Sequence, residues 1–483
     1  MTKNKEDILN NFLEEQINIM PEYVKRLTKN NNHKFTHRNE YYQIIKYIDQ
    51  FQEKESINRL IVMPGIRGVG KTTLLYQIYE YLFYTKNIPH HNILYFSTEN
   101  LNYITDCNIV NLIEQYINNF HNTSISTLNK KIYLLIDEAQ YDKNWAIAGK
   151  ILYDKTPNIF MIFTGSSALN LEYNADTARR TCKQAIPPLT YAHHLKLKYG
   201  IEIDQTKKAL KELLFNAKIE EAKKIEEKGT NTILKNQNYS GNDWYDYLLY
   251  GGFPAYYNEE DNNLIINKIE EMTNKVINTD MIQIKNFTLE NQINANRILR
   301  YLSLQESADV SYNKISKYLK TSATNVENIL KVLETTHLIF HCEAYGNSSR
   351  KSRKPWKYYF ATSSIKHVLS KKTGHNYRNK EKYEGILLEN MTASKLHEIC
   401  EKSYGYYNLF YDSNKINVDF IIKEEFNNAI PIEVGKGKKD KKQITTAIDT
   451  YNAEYGIIIS NTSQKIEKKD NIIYIPSKTF AIL

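Results

Sequence analysis

The stretch Gly65-Ile66-Arg67-Gly68-Val69-Gly70-Lys71-Thr72-Thr73 constrains this chain more than any other. It fits the pattern G-x-x-x-x-G-K-[ST] in full. Leu60-Ile61-Val62-Met63 ahead of it reads as a buried strand, and Thr73 to Tyr79 after it reads as a helix. Glycines let the backbone turn its N–H groups inward, and the first turn of the following helix favours negative charge. The expected ligand is a nucleoside triphosphate cradled by Gly65, Arg67, Gly68, Val69, Gly70 and Thr73. Lys71 would reach the β and γ phosphates, and the Thr72 hydroxyl would hold Mg²⁺. The competing reading is a glycine-rich turn that caps an ordinary helix.

A second motif lies downstream. Lys131 to Glu138 is an apolar strand that ends in adjacent carboxylates, Asp137 and Glu138. Asp137 at the strand tip can hold the Mg²⁺ hydration shell, and Glu138 can orient the attacking water. Alone the pair is weak, because acids commonly end strands; with the phosphate loop it is strong. Ile159 to Phe163 is a third apolar run and leads into Thr164-Gly165-Ser166-Ser167. Thr164 and Ser166 are candidates to sense the γ phosphate, although Ser166 or Ser167 equally suits a helix N-cap. Arg179 and Arg180 follow. Either guanidinium could stabilise the transferring phosphoryl group, in cis or from a neighbouring subunit, and a solvated basic turn is the alternative.

The chain has 483 residues and a net charge of +9. That length predicts about two or three domains. The positive balance leans toward a nucleic-acid partner, but coding bias toward Lys, Asn, Ile and Tyr would also raise it, so local concentration of charge matters more. The 4 cysteines lie far apart and form no C-x-x-C pair, which argues for a reducing compartment and against a zinc ribbon. No apolar run approaches bilayer length, and no signal-peptide stretch follows Met1. A cytoplasmic protein without membrane attachment is expected.

Apolar strand runs alternating with helices argue for an α/β core with a parallel sheet covered on both faces. Its strands are expected at Leu60–Met63, Ile93–Phe96, Tyr133–Ile136 and Ile159–Phe163, with Gln184–Ile186 as a fifth. The expected division is 1–36 for an N-terminal helical segment, 37–194 for the phosphate-loop core, 195–290 for a helical lid or insert, 291–362 for a winged helix-turn-helix, and 363–483 for a C-terminal α/β domain. Glu220 to Lys228 is charge-dense and reads as a solvated helix face.

Asn313 to Leu319, a turn, Ala323 to Glu334 and the run Leu338 to Glu343 spell helix, turn, helix and strand. A wing would carry Arg350, Lys351, Arg353, Lys354 and Lys357, with no acid among them. Such a loop can neutralise phosphates of double-stranded DNA, or it can pack on another domain. Further on, Glu389 on a helix, Asp419 near the start of a strand and Glu433 on the next strand could bind Mg²⁺ for phosphodiester cleavage. Such a nuclease wants a lysine two residues after the second acid. Gly435 stands there, and Lys436 is one residue late and so faces the other side unless the backbone bulges.

On these motifs the chain resembles the archaeal and bacterial AAA-type ATPases that join a P-loop domain to a winged helix and a restriction-endonuclease-like domain. The matching residues are Gly65 to Thr72, Asp137-Glu138-Ala139-Gln140, Thr164-Gly165-Ser166-Ser167, Ala178-Arg179-Arg180, Gly251-Gly252-Phe253-Pro254, Gly385 with Glu389-Asn390, Val418-Asp419-Phe420 and Ile432-Glu433-Val434. They span nearly the whole chain. The resemblance implies ATP with Mg²⁺, hydrolysis, and action on DNA; it does not imply cutting, and Gly435 counts against it. The first expectation is thus an ATP-driven, DNA-associated switch or motor. Alternatives are an ATP-gated nuclease and a nucleotide-sensing scaffold with little turnover. Oligomeric state stays open.

Overall fold

The computed structural model describes residues 3–30, 33–54, 56–166, 179–257, 259–283, 287–305, 310–347, 354–374, 379–414, 418–425, 429–435 and 441–483. The chain divides into two units: Met1–Pro187 with Thr279–Phe287, and Pro188–Asn278 with Thr288–Leu483.

In the first unit, helix α1 (Lys3–Leu27) and helix α2 (Asn39–Glu53) precede strand β1 (Leu60–Pro64). Then come α3 (Lys71–Glu80), β2 (Ile93–Ser97), α4 (Thr98–Ile104), α5 (Ile109–His121), β3 (Ile132–Asp137), α6 (Trp145–Lys155), β4 (Ile159–Gly165) and β5 (Cys182–Lys183). The strands form a sheet in the order β2-β3-β4-β1-β5, and every pairing is parallel. β1, β3 and β4 are buried along their full length, as a sheet covered on both faces requires. Leu9, Phe12 and Leu13 of α1 pack with Leu94, Leu134, Leu112 and Phe163 in one apolar cluster. Each such fully buried side chain stabilises the fold by about 1.5–3 kcal/mol.

The fifth strand starts earlier than the sequence suggests, at Cys182 rather than Gln184. Backbone pairing nonetheless runs on: Gln184 N donates to Val62 O and Ile186 N to Pro64 O, both at 2.8 Å. Pro187 and Pro188 have no N–H to continue the ladder.

The second unit opens with helices α7 (Tyr191–Tyr199), α8 (Asp204–Asn216), α9 (Ile219–Leu234), α10 (Asp243–Tyr250) and α11 (Asn262–Lys275). The charge-dense stretch forms α9, but it is not solvated all round. Ala222, Glu226, Gly229 and Ile233 recur at helical spacing as a buried stripe. Glu226 belongs there because Ile466 N and the Thr479 hydroxyl donate to its two oxygens, at 2.6 and 2.7 Å.

After α12 (Leu289–Leu304) come α13 (Tyr312–Leu319), α14 (Ala323–Thr335), β6 (Ile339–Ala344) and β7 (Lys357–Phe360). Ser311 caps α13 and Ser322 caps α14. β6 and β7 pair antiparallel. The chain continues through α15 (Ser363–Lys372), α16 (Lys380–Glu401), β8 (Tyr407–Tyr411), β9 (Phe420–Glu424), β10 (Ala429–Gly435), α17 (Lys441–Tyr451), β11 (Gly456–Ser460), β12 (Glu467–Lys469), β13 (Ile472–Pro476) and α18 (Ser477–Phe480). Among the described residues one mixed sheet runs β12-β13-β11-β10-β9-β8-β6-β7. β6 is therefore shared: it pairs with β7 on one edge and lies parallel to β8 on the other. The boundary expected at 362/363 falls inside this sheet.

Candidate nucleotide site

β1 delivers the chain to Gly65, and only glycine fits there: a Cβ would lie 2.5 Å from the Ile186 carbonyl oxygen. Gly70 sits at φ 94°, ψ 24°, a left-handed conformation that lets the chain enter α3 without a Cβ penalty. Arg38, which sequence reasoning did not single out, fastens the loop from behind. Its Nη1 donates to Val69 O at 2.6 Å and its Nη2 to Pro187 O at 2.8 Å, and Glu40 balances its charge.

Lys71 is buried, and Nζ donates back to Gly65 O at 2.8 Å and Ile66 O at 3.1 Å. Burial lowers its pKa, against the pull of Glu138 and Asp137. The Thr72 hydroxyl donates to Asp137 Oδ2 at 2.8 Å. Thr164 donates to Asp137 Oδ1, and Glu138 N donates to the same oxygen at 3.1 Å. Tyr95, on β2, also reaches Asp137 Oδ2, at 3.4 Å. Burial and the adjacent Glu138 charge raise the Asp137 pKa, while the two threonine hydroxyls hold it down.

Glu138 adopts φ 51°, uncommon for a residue with a side chain. Its carboxylate accepts from Gln140 Nε2, and Gln140 Oε1 in turn accepts from Ser166 N at 3.3 Å. The hydroxyl of Ser166 is buried without a hydrogen-bond partner among the described residues. Ser167 and Ala178 lie outside the described residues. Arg180 is turned to Asp154 at 2.7 Å, and Arg179 is exposed. Among the described residues, the fold brings the guanidinium of Arg67 to Glu138, 3.8 Å away. Arg67 is held chiefly by Asp280, 213 residues later in sequence, with Nη2 to Oδ1 at 2.8 Å. Burial alone would lower the Arg67 pKa; hydrogen bonding to Asp280 and the Glu138 charge reverse that. No local sequence signal marks Asp280.

The residues here fit Mg-ATP on the chemistry of the donor set: loop amides and Lys71 for phosphates, and the touching oxygens of Thr72 and Asp137 for the cation.

The carboxylates of the second unit behave differently. Glu389, on α16, accepts from the Tyr359 hydroxyl at 2.9 Å. Burial and the Asp419 charge lift its carboxyl to about 7. Asp419 Oδ2 accepts from Val434 N at 2.7 Å, and Glu433 is buried. The register of Phe420 with Ile432 sets Asp419 across from Glu433. Among the described residues, no group of three or more His, Cys, Asp or Glu side chains could hold a metal ion. Of the expected Mg²⁺ trio, Glu389 and Asp419 are each oriented by a hydrogen bond, from Tyr359 and from the Val434 amide. Gly435 closes β10, and Lys436 lies outside the described residues.

Of the basic wing, Arg350, Lys351 and Arg353 lie outside the described residues, and Lys354 is exposed. Lys357 departs from the expected wing. It opens β7, is 8% exposed, and its Nζ lies 5.0 Å from the Tyr411 ring centroid, so it does not stand on a solvent-facing loop.

Comparison with known proteins places these observations in a family. Residues 57–195 match an AAA domain, and residues 241–376 match a domain of unknown function, DUF8612. An uncharacterized protein of Methanocaldococcus jannaschii, MJ1637, is 34% identical over 443 residues, which is 92% of this chain and 88% of that one. An uncharacterized protein of Haemophilus influenzae is 23% identical over 69% of this chain and 75% of its own. Among solved structures, the Aeropyrum pernix ORC2 protein matches 72% of this chain and 98% of its own, at 10% identity and a TM-score of 0.37, a likeness too slight to carry function. The chain belongs to the family of the Methanocaldococcus jannaschii protein MJ1637, and its residues 57–195 are an AAA domain.

Proposed function

We propose that this protein binds and hydrolyses Mg-ATP and acts as a DNA-associated switch or motor. The observation that carries the first half is the 2.8 Å bond between Thr72 and Asp137, 65 residues apart, at the mouth of a complete phosphate loop. Mg²⁺ held by that pair would neutralise charge on the phosphate oxygens. Loop amides and Lys71 bind the polyphosphate. Thr164 and Tyr95 fix Asp137. Glu138, next in the chain, orients the attacking water and draws on its proton.

The DNA half is supported by the capped helix-turn-helix α13–α14, the antiparallel pair β6–β7 after it, the exposed Lys354 and the net charge of +9. We read α13 to β7 as a winged helix, and the mixed sheet as an α/β module of restriction-endonuclease type. Cleavage by Glu389, Asp419 and Glu433 is the second reading, and Gly435 in the place of the expected lysine counts against it. We read the setting as cytoplasmic from the widely spaced cysteines; among the described residues no helix is long and apolar enough to cross a membrane.

The test is steady-state ATP hydrolysis with and without double-stranded DNA, for wild type, Lys71→Ala and Glu138→Gln. Lys71→Ala should lose nucleotide binding. Glu138→Gln should keep it while turnover falls by about 10²–10⁴-fold. Tight ATP binding without turnover in wild type would replace the motor by a nucleotide-sensing scaffold. Turnover indifferent to DNA removes the DNA half alone.

A further inference from the structure

The guanidinium of Arg67 is divided unequally between two carboxylates. Asp280 takes one whole edge: Nε donates to Oδ1 at 3.1 Å and to Oδ2 at 3.0 Å, and Nη2 donates to Oδ1 at 2.8 Å. Nη1 faces Glu138 Oε1 at 3.8 Å, an ion pair without a hydrogen bond. Nη2 also reaches the Tyr141 hydroxyl at 3.4 Å, which itself donates to Glu99 at 3.0 Å. The Arg67, Asp280 and Glu138 side chains are 11%, 3% and 15% exposed, so water can do little to screen them. A planar guanidinium has a second donor edge, Nη1–Nη2, that can grip another carboxylate, so a carboxylate seated on the Nε–Nη2 edge sets how closely the other edge approaches Glu138.

We propose that Asp280 is a positioning residue for ATP hydrolysis: by occupying the Nε–Nη2 edge of Arg67 it keeps the guanidinium from closing onto Glu138, whose carboxylate stays available to the water. This rests on the ATPase reading above. Without Asp280, the buried fork has Glu138 as its nearest remaining charged partner. Pairing there would tether the carboxylate and spend its lone pairs on Arg67. Nucleotide binding would suffer little, because the loop amides, Lys71 and Thr72 are untouched.

Asp280 belongs by its contacts to the phosphate-loop unit, although it lies far along the chain from the loop.

The experiment is a double-mutant cycle on the full chain with Asp280→Asn, Arg67→Gln and the double variant, plus Asp280→Glu. It reads kcat and KM for Mg-ATP, equilibrium binding of a fluorescent non-hydrolysable ATP analogue, and thermal unfolding. Asp280→Asn should lower kcat about tenfold or more with analogue affinity within about threefold, and Asp280→Glu should recover most of the loss. With Arg67→Gln in place, Asp280→Asn should cost nothing further, because the group it restrains is gone. Unchanged kcat in Asp280→Asn, or an equal loss with and without Arg67, overturns the inference. If Asp280→Asn alone does not fold, Arg67→Gln against the double variant decides: equal kcat supports the inference, and a further drop of about tenfold sinks it. Absence of Lys71-dependent hydrolysis in wild type defeats the ATPase reading itself, whereas wild-type turnover with an indifferent Asp280→Asn defeats only the role of Asp280.

Discussion

Thr164 donates its hydroxyl to Asp137 Oδ1 across the neighbouring parallel strands β4 and β3. Asp137 must be ionised to hold a cation, yet burial and Glu138 push its pKa upward. The hydroxyl opposes that push. Thr164→Val should therefore raise the Asp137 pKa and move the acid limb of the pH–rate profile to higher pH. Turnover at neutral pH should fall about tenfold or more with the protein still folded. An unmoved acid limb would show that Asp137 does not depend on this bond.

Gly65 lies against backbone rather than a movable side chain. In Gly65→Ala the new methyl would sit 2.5 Å from Ile186 O, so either β5 or the loop must shift. Urea unfolding should show a loss of about 1–3 kcal/mol, and ATP affinity should fall as the loop is displaced. Full retention of both would mean that the loop yields freely.

Glu389 predicts a pH dependence of stability with a definite sign. Its carboxyl is lifted from 4.5 to about 7, first by burial and then by Asp419. The folded chain therefore holds that proton more tightly than the unfolded chain does. The stabilising contribution is complete below about pH 4.5 and is lost as pH rises through about 7. Glu389→Gln, which can still accept from Tyr359, removes this dependence. Its midpoint of denaturation relative to wild type should rise between pH 5 and about pH 8. A constant difference across that range would contradict the assignment.

Lys354 offers a direct test of the DNA reading, because it is exposed beside the β6–β7 pair. Lys354→Glu should weaken binding to double-stranded DNA of unrelated sequences alike and reduce the slope of log affinity against log salt by about 1. Lys357→Gln should leave that slope unchanged, since Lys357 is buried on Tyr411. Equal effects on the slope would mean that the strand opens on binding.

What could be read without the fold is what lies close together along the chain. Gly65 to Thr73 is one loop, and its strand and helix are its immediate neighbours, so hydrophobic spacing and glycine placement sufficed. Asp137 and Glu138 end an apolar run for the same local reason. The fully buried strands were legible because a parallel sheet covered on both faces demands unbroken apolar runs. The burial of Lys357 is not legible because a count of cations cannot tell a loop from the first residue of a strand that is buried along its full length. The grouping of Arg67 with Asp280, of Arg38 with Val69 and Pro187, and of β6 with β8 was decided by tertiary structure alone. Such pairings depend on which buried charge or open strand edge finds a partner once distant segments meet, and sequence spacing carries no record of that meeting.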